Sequence, residues 1–387
     1  MIVILEPDLP DQNVTVDAVR AVAARYPGVT VKPYEFRGTT HRFAEVHLLG
    51  STAAVPTAAF EGLPGVRQVV RVSAKYRLIG RHDPAHETVG FEHNGVHINE
   101  STVHIFAGLC AVDTPAHVDA MMAALAREGI VTTRMGAYKP RSSPYDFQGL
   151  GKECLPWVFE TAGRHGIRLI AMEATNASHL DEIAEALERA GHPTGVIIQV
   201  GTRNAQNYEL LKQVGRQQAF PVLFKRGMGI TLEESLNACE YIASEGNPRI
   251  MFCLRGVKTL LGEPHRNLVD FAHVPVVRRQ TRLPVCIDPS HSVGISLRAP
   301  DGLPDIFHAV GQGIIAGASA VLVDFHPHPE RALCDGGQAL TLDMLVPLVE
   351  HVRRVRAAYE ESVAAFAGRA PVKTDSAQQK SPAAPGM

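Results

Sequence analysis

A chain of 387 residues is long for one small domain and suits one large α/β barrel with a small extra unit. Hydrophobic residues make up 45% and charged residues 20%, and the formal net charge of −2 provides no global field to recruit nucleic acid or an anionic membrane. Six cysteines without CxxC or paired spacing argue against a disulfide framework and for reduced thiols.

The opening "MIVILEPD" reads as a strand, without the basic region and cleavage site of a signal peptide, and no apolar run reaches the ~20 residues of a membrane span. The expectation is a cytoplasmic protein. In chain order, "MIVILEP", "VDAVRAVAARYP", "VTVKPYEF", "RFAEVHLLG", "AAVPTAAFEGL" and "VRQVVRVS" predict β-α-β-β-α-β, a ferredoxin-like domain over residues 1–78. Residues 79–100 read as a linker leading into the next unit. From 101 to 367, eight apolar strands alternate with helices: "VHIFAGL", "IVTTRMGA", "RLIAMEA", "GVIIQVG", "PVLFKRG", "RIMFCLRG", "PVCIDPSH" and "AVLVDFHP". That alternation predicts a (β/α)8 TIM barrel. The final segment, 368–387, is rich in Ala, Pro, Ser and Lys and is expected to be disordered.

Polar residues gather at the ends of these strands: Cys110, Arg134, Glu173, Arg203, Lys225, Arg255, His291 and Asp324. In such barrels the C-terminal ends of the strands carry the chemistry. Arg134, Lys139, Arg203, Lys225 and Arg255 would repel one another around one small volume unless a dense anion filled it. A phosphate and a carboxylate on one molecule meet that need, because guanidinium forks match both groups. The alternative for each cation alone is a nearby carboxylate or plain solvation. Cys110, His291, Asp324 and Asp335 offer sulfur, nitrogen and oxygen donors for Mn2+, Fe2+, Co2+ or Zn2+. Taken singly, Cys110 reads as a small buried apolar residue and His291 as a hydrogen-bonded histidine. His326 falls on the same side of its strand as Asp324, with its role open.

Polyanion pocket and divalent ion together suit condensation of an enol phosphate with an aldehyde. Glu173 and Lys139 are then candidates for proton or water handling, with His291 counted among the catalytic residues. Arg141, Ser142 and Ser143 lie a short turn further out, placed for the phosphate of a second substrate.

The motifs "GAYKPRSSPYDFQGLG", "GTRNAQN", "FKRG", "DPSHS" and "HPHPERALCDGGQ" closely resemble the 3-deoxy-7-phosphoheptulonate (DAHP) synthases, type I beta subgroup, over residues 1 to about 358. The resemblance implies condensation of phosphoenolpyruvate with erythrose 4-phosphate, releasing phosphate, as the first step of the shikimate pathway. It places metal ligation on Cys110, His291, Asp324 and Asp335. Enol binding falls on Arg134, Lys139, Arg203, Lys225 and Arg255, and the aldose phosphate contact on Arg141 and Ser142. It further implies a homotetramer, and an N-terminal domain that senses an aromatic amino acid or serves only to hold the oligomer together.

Four departures stand out. The usual Gly-Pro-Cys-Ser reads "GLCA", with Leu109 and Ala111. The metal glutamate is Asp324, one methylene shorter. "HPEPEKALSDG" has become "HPHPERALCDG", putting His328 where an acid stands, and "RGGAYKPR" reads "RMGAYKPR", with Met135 for Gly. Three of the four sit at or beside the metal, which would suit a copy serving secondary metabolism. Related octulosonate synthases carry "KANR" where this chain has Pro140 and Arg141, which favours the shorter sugar phosphate. Alternatives are a phosphoenolpyruvate-dependent synthase using another aldose phosphate, an inactive barrel acting as a regulatory or binding subunit, and a Schiff-base aldolase on Lys225.

Overall fold

The computed structural model describes residues 1–7, 9–37, 42–52, 54–71, 76–81, 90–295 and 297–367; the expected disordered tail and residues 82–89 of the expected linker lie outside them. The first strand, β1 (Ile2–Leu5), is buried throughout. Helix α1 (Gln12–Ala23) starts behind Asp11, whose carboxylate accepts the backbone N–H of Asn13 as an N-cap. β2 (Val29–Arg37), β3 (Arg42–Gly50), α2 (Ala58–Glu61) and β4 (Val66–Val70) complete the domain. Its antiparallel sheet runs β2–β3–β1–β4, the small N-terminal sheet domain expected from the strand pattern.

A hairpin follows, β5 (Phe91–His93) and β6 (Val96–Ile98), and then the barrel. Its strands are β7 (His104–Leu109), β8 (Thr132–Met135), β9 (Leu169–Ala174), β10 (Gly195–Val200), β11 (Val222–Lys225), β12 (Ile250–Leu254), β13 (Val285–Ile287) and β14 (Ala320–Asp324). They close into one parallel barrel, β14 pairing with β7 at the seam through Val321↔Ile105 and Asp324↔Gly108. Near-continuous apolar runs such as "GVIIQV" suit strands covered on both faces. All eight expected strands are present.

The intervening helices are α3 (Pro115–Arg127), α4 (Leu155–Arg164), α5 (Ser178–Arg189), α6 (Tyr208–Arg216), α7 (Leu232–Ser244), α8 (Val274–Gln280), α9 (Pro289–Val293), α10 (Asp305–Ile315) and α11 (Leu345–Phe366). Local chemistry marks their starts. Thr114 caps α3 with Pro115 at the first helical position, and Thr231 and Glu234 form a reciprocal capping box on α7. Among the described residues no helix is long and apolar enough to cross a membrane.

The hairpin stoppers the N-terminal end of the barrel. Phe91, Val96 and Ile98 are buried in one cluster with the inward residues Phe106, Leu169, Leu223, Met251 and Ala320. Burying each such side chain contributes about 1.5–3 kcal/mol. The small domain is tied on from the same side: Arg282, three residues before β13, donates to Glu45 of β3 at 2.8 Å, both buried. Glu240 of α7 accepts the backbone N–H groups of Arg77, Leu78 and Ile79 at 2.7, 2.8 and 3.1 Å.

Candidate active site

Side chains alternate across a strand, so every second residue of a barrel strand points inward. Followed upward, each inward row changes character within two residues. Leu169 and Ala171 lead to Glu173, Leu223 to Lys225, Met251 and Cys253 to Arg255, Cys286 to Asp288, and Ala320 and Leu322 to Asp324. The lower members form the apolar plug, whereas the upper ones are all buried and charged. Gly201, two residues past Gln199 on β10, has a physical reason: a Cβ there would lie 1.9 Å from Oε1 of Glu173.

Above this layer lies a cavity of about 230 Å3, lined by Lys139, Arg141, Ser142, Arg203, Lys225, Arg255 and Arg266, with Glu173, His291 and Asp335. Four of the five cations expected at the enol site face it. Arg134 instead lies beneath, ion-paired with Asp324 two strands away across β7 and 3.5 Å from Cys110 Sγ. Burial works against its charge, but Asp324, Cys110, Asp288 and Glu173 hold Arg134 more firmly protonated than usual. Lys225 pairs with buried Asp288 at 2.6 Å. Arg255 is different: its Nε and one terminal nitrogen are buried with no partner among the described residues, and burial lowers its pKa. A buried guanidinium with unmet donors calls for an anion.

Further out, the loop after β8 holds Arg141, whose Nε and NH2 donate to Asp146 at 3.3 and 3.1 Å, and Ser142, which accepts from exposed Arg203 at 3.4 Å. Lys139 Nζ reaches inward to Cys110 Sγ at 3.1 Å. Glu173 accepts from Gln199 at 2.9 Å on one oxygen and turns toward the cavity.

The four residues expected to hold a metal converge. His291 is oriented by Asp288, which accepts from its backbone N–H at 3.0 Å and contacts Nδ1 at 3.0 Å. That leaves Nε2 facing Cys110 Sγ and Asp335 Oδ2, each at 3.9 Å, with Cys110 and Asp335 3.3 Å apart. Cys110, His291 and Asp324 form one group whose donor atoms lie within 4.8 Å of one another. Burial keeps the His291 imidazole below its ordinary pKa against the pull of Asp288 and Asp324, which favours the neutral form that ligates. Burial would raise the Asp335 carboxyl, yet His291, the Cys334 thiol, Lys139 and Arg266 hold it well below the usual range. These donors suit a borderline divalent ion, with the carboxylate of Asp288 behind the histidine as an orienting partner.

His326 is a satisfied structural histidine: its Nδ1 accepts from the His328 backbone at 3.0 Å, and Nε2 donates to Asp113 at 2.8 Å. Three polar groups were not singled out by sequence reasoning. Asp288 anchors both Lys225 and His291, and lay in plain view inside "DPSHS". Arg266 lines the cavity and reaches Asp335 at 3.3 Å and Gln338 at 2.7 Å. Cys334, next in sequence to Asp335, lies with it and Cys110 in a second close donor group.

Comparison with known proteins agrees with this architecture. The profile of the DAHP synthetase I family matches residues 87–361. The phospho-2-dehydro-3-deoxyheptonate aldolase of Thermotoga maritima is 34% identical over 356 residues, covering 92% of this chain and 97% of its own. A crystal structure of the DAHP synthase of that organism has a TM-score of 0.66 at 34% identity, covering 92% of this chain and 97% of its own. Its truncated form gives 0.62 at 33%, covering 73% of this chain and 96% of its own. The 2-dehydro-3-deoxyphosphooctonate aldolase of Syntrophotalea carbinolica is 26% identical across 66% of this chain and 91% of its own.

Proposed function

The chain belongs to the DAHP synthetase I family of enzymes, and from that premise we propose that it condenses phosphoenolpyruvate with erythrose 4-phosphate, releasing phosphate, with a divalent metal at the barrel mouth. The observation that carries this reading is the cavity itself, walled by Lys139, Arg203, Lys225, Arg255 and Arg266 beside the Cys110–His291–Asp335 donor group.

Lys225 and Arg255, both buried, take the inner anionic group of the enol phosphate, and Arg203 and Lys139 take the outer one. Arg134 sets the electrostatic floor through Asp324. Arg141 and Ser142 hold the phosphate of the aldose, whose aldehyde then points inward. Cys110, His291, Asp335 and one further donor would hold the metal, which supplies a Lewis acid for the aldehyde oxygen. Lys139 is kept charged: burial opposes this, but Cys110 and Glu173 outweigh it and raise its pKa. Its ammonium donates a proton to the oxygen on which charge develops as C3 of the enol bonds to the aldehyde carbon. Glu173 orients the water that adds at C2; one proton of that water restores the Lys139 ammonium, and the C2–O bond to phosphate then breaks, the phosphate leaving with the remaining hydroxyl proton as the C2 carbonyl forms. Fixing both substrates above one plugged barrel accounts for much of the rate by orientation alone.

Phosphate release from phosphoenolpyruvate, assayed with a panel of aldose phosphates with and without a chelator, tests the reading. Release with erythrose 4-phosphate that a chelator abolishes is the expected result. Release only with another aldose phosphate would replace the aldehyde assignment, and none with any partner would leave a binding subunit. The reading extends to a cytoplasmic homotetramer whose small domain binds an aromatic amino acid and acts through the Glu45–Arg282 contact at the base of β13. Inhibition by tyrosine or phenylalanine that disappears when the chain starts at residue 79 is the expected outcome; unchanged inhibition would remove the small domain from it.

A further inference from the structure

The metal reading requires a fourth donor, and the geometry separates the candidates. Asp324 has the shorter side chain, and both its oxygens are already engaged. Oδ1 is ion-paired with Arg134, and Oδ2 accepts from Gln338 Nε2 at 2.6 Å. Its approach to His291 is 3.8 Å from Nδ1, the nitrogen that Asp288 already occupies, and not from Nε2, although an Asp324 oxygen also lies within 4.8 Å of Cys110 Sγ. Cys334 is placed otherwise. Its Sγ lies 3.1 Å from Asp335 Oδ2, the same oxygen that faces Cys110, and the Cys110, Cys334 and Asp335 donors all lie within 4.8 Å of one another.

Four of the six edges of this donor set lie within about 0.2 Å of the range a tetrahedral site spans. Bonds of about 2.3 Å to sulfur and 2.0–2.1 Å to nitrogen and oxygen give edges of roughly 3.3–3.8 Å. Those seen are 3.3 Å for Cys110–Asp335, 3.1 Å for Cys334–Asp335, and 3.9 Å for His291 to both Cys110 and Asp335. Each sulfur also faces its own cation, Lys139 Nζ at 3.1 Å from Cys110 and an Arg141 nitrogen at 2.7 Å from Cys334.

We propose that Cys334 is a metal ligand, completing a Cys110–Cys334–His291–Asp335 donor set, while Asp324 anchors Arg134 instead of binding the ion. Two thiolates make the site softer, favouring Zn2+, Co2+ and Fe2+ over Mn2+. The inference rests on the metal reading of this mouth and specifies its fourth donor.

Cobalt reports the sulfur count directly, because thiolate-to-Co2+ charge transfer in the near ultraviolet scales with the number of thiolates. The full-length protein, stripped of metal under reducing conditions and titrated with Co2+, is expected to show a two-thiolate band. Cys334→Ser should cut it to about half and weaken Zn2+ binding by roughly tenfold or more; Asp324→Asn should leave the band intact. A band that Cys110→Ser removes and Cys334→Ser leaves untouched overturns this proposal and spares the metal reading. Absence of any Co2+ band in the unaltered protein overturns the metal reading itself. Should Cys334→Ser not fold, the 113Cd NMR shift of the unaltered protein decides: a two-sulfur shift supports the proposal and a one-sulfur shift ends it.

Discussion

The two ends of the barrel interior are built from the same strands, two to four residues apart, yet they do opposite work. At the bottom, Phe106, Leu169, Leu223 and Met251 meet Phe91, Val96 and Ile98 of the hairpin in one buried apolar cluster. At the mouth, Arg134, Lys225, Asp288 and Asp324 are equally buried and held by ion pairs, with Gln338 and His291 on the two carboxylates. Apolar burial stabilises whatever its neighbours do, whereas a buried ion pair roughly cancels its own desolvation and punishes the loss of either partner. The fold rests on the lower layer, and the upper layer stores the charge that a substrate would meet.

The largest effect that would sharpen this contrast is expected from Lys225→Ala. It strands Asp288 without its cation, so unfolding free energy should drop by about 3–5 kcal/mol. On the proposed function, kcat/KM for phosphoenolpyruvate should also fall by roughly 100- to 1,000-fold. Denaturant melts together with initial rates would show whether both losses occur. Next, Ile98→Ala at the bottom should cost about 2–5 kcal/mol of stability while KM stays at its original value; a changed KM would mean that the two ends are coupled. Arg255→Ala should invert the pattern. Its guanidinium has unmet donors, so stability should hold or rise, while phosphoenolpyruvate binding weakens by about 1.5–3 kcal/mol, read as a higher KM.

The smallest effect concerns His93 on the hairpin. Burial, aided by Arg249 and opposed by Glu92, lowers its pKa from 6.5 to about 4. Between those values the unfolded chain takes up a proton that the folded chain refuses. Stability from this group is therefore complete above 6.5 and falls on acidification toward 4, by at most about 1.4 kcal/mol per pH unit. The difference between the unaltered protein and His93→Gln, melted across that range, should show the slope only in the former.

The barrel was legible because its signal is local: eight apolar runs, each ending in a residue type foreign to a core. The charge layer was legible for the same reason, since Glu173, Lys225 and Asp324 lie an even number of positions beyond the apolar residues of their own rows. What escaped depends on closure. Arg134 pairs with Asp324, 190 residues away, and only the β14–β7–β8 seam brings them together. The reading of Arg134 as a cation awaiting an outside anion missed a partner inside the chain. Cys334 escaped because a lone cysteine in a loop carries no periodicity; its meaning comes from Cys110 and Asp335 beside it. Asp288 was quoted within its motif but left without a role, since a carboxylate that orients other side chains has no signature of its own.

With the far end stoppered by β5 and β6, traffic passes through the mouth. The inner cations lie below the rim formed by Arg141 and exposed Ser142. On the proposed assignment, a sugar phosphate seated at that rim bars the passage to anything deeper. The enol phosphate must therefore enter ahead of the sugar, and orthophosphate, liberated on the inside, waits for the larger product to clear the exit. Such a one-way queue makes added orthophosphate a rival of the first arrival and not of the second.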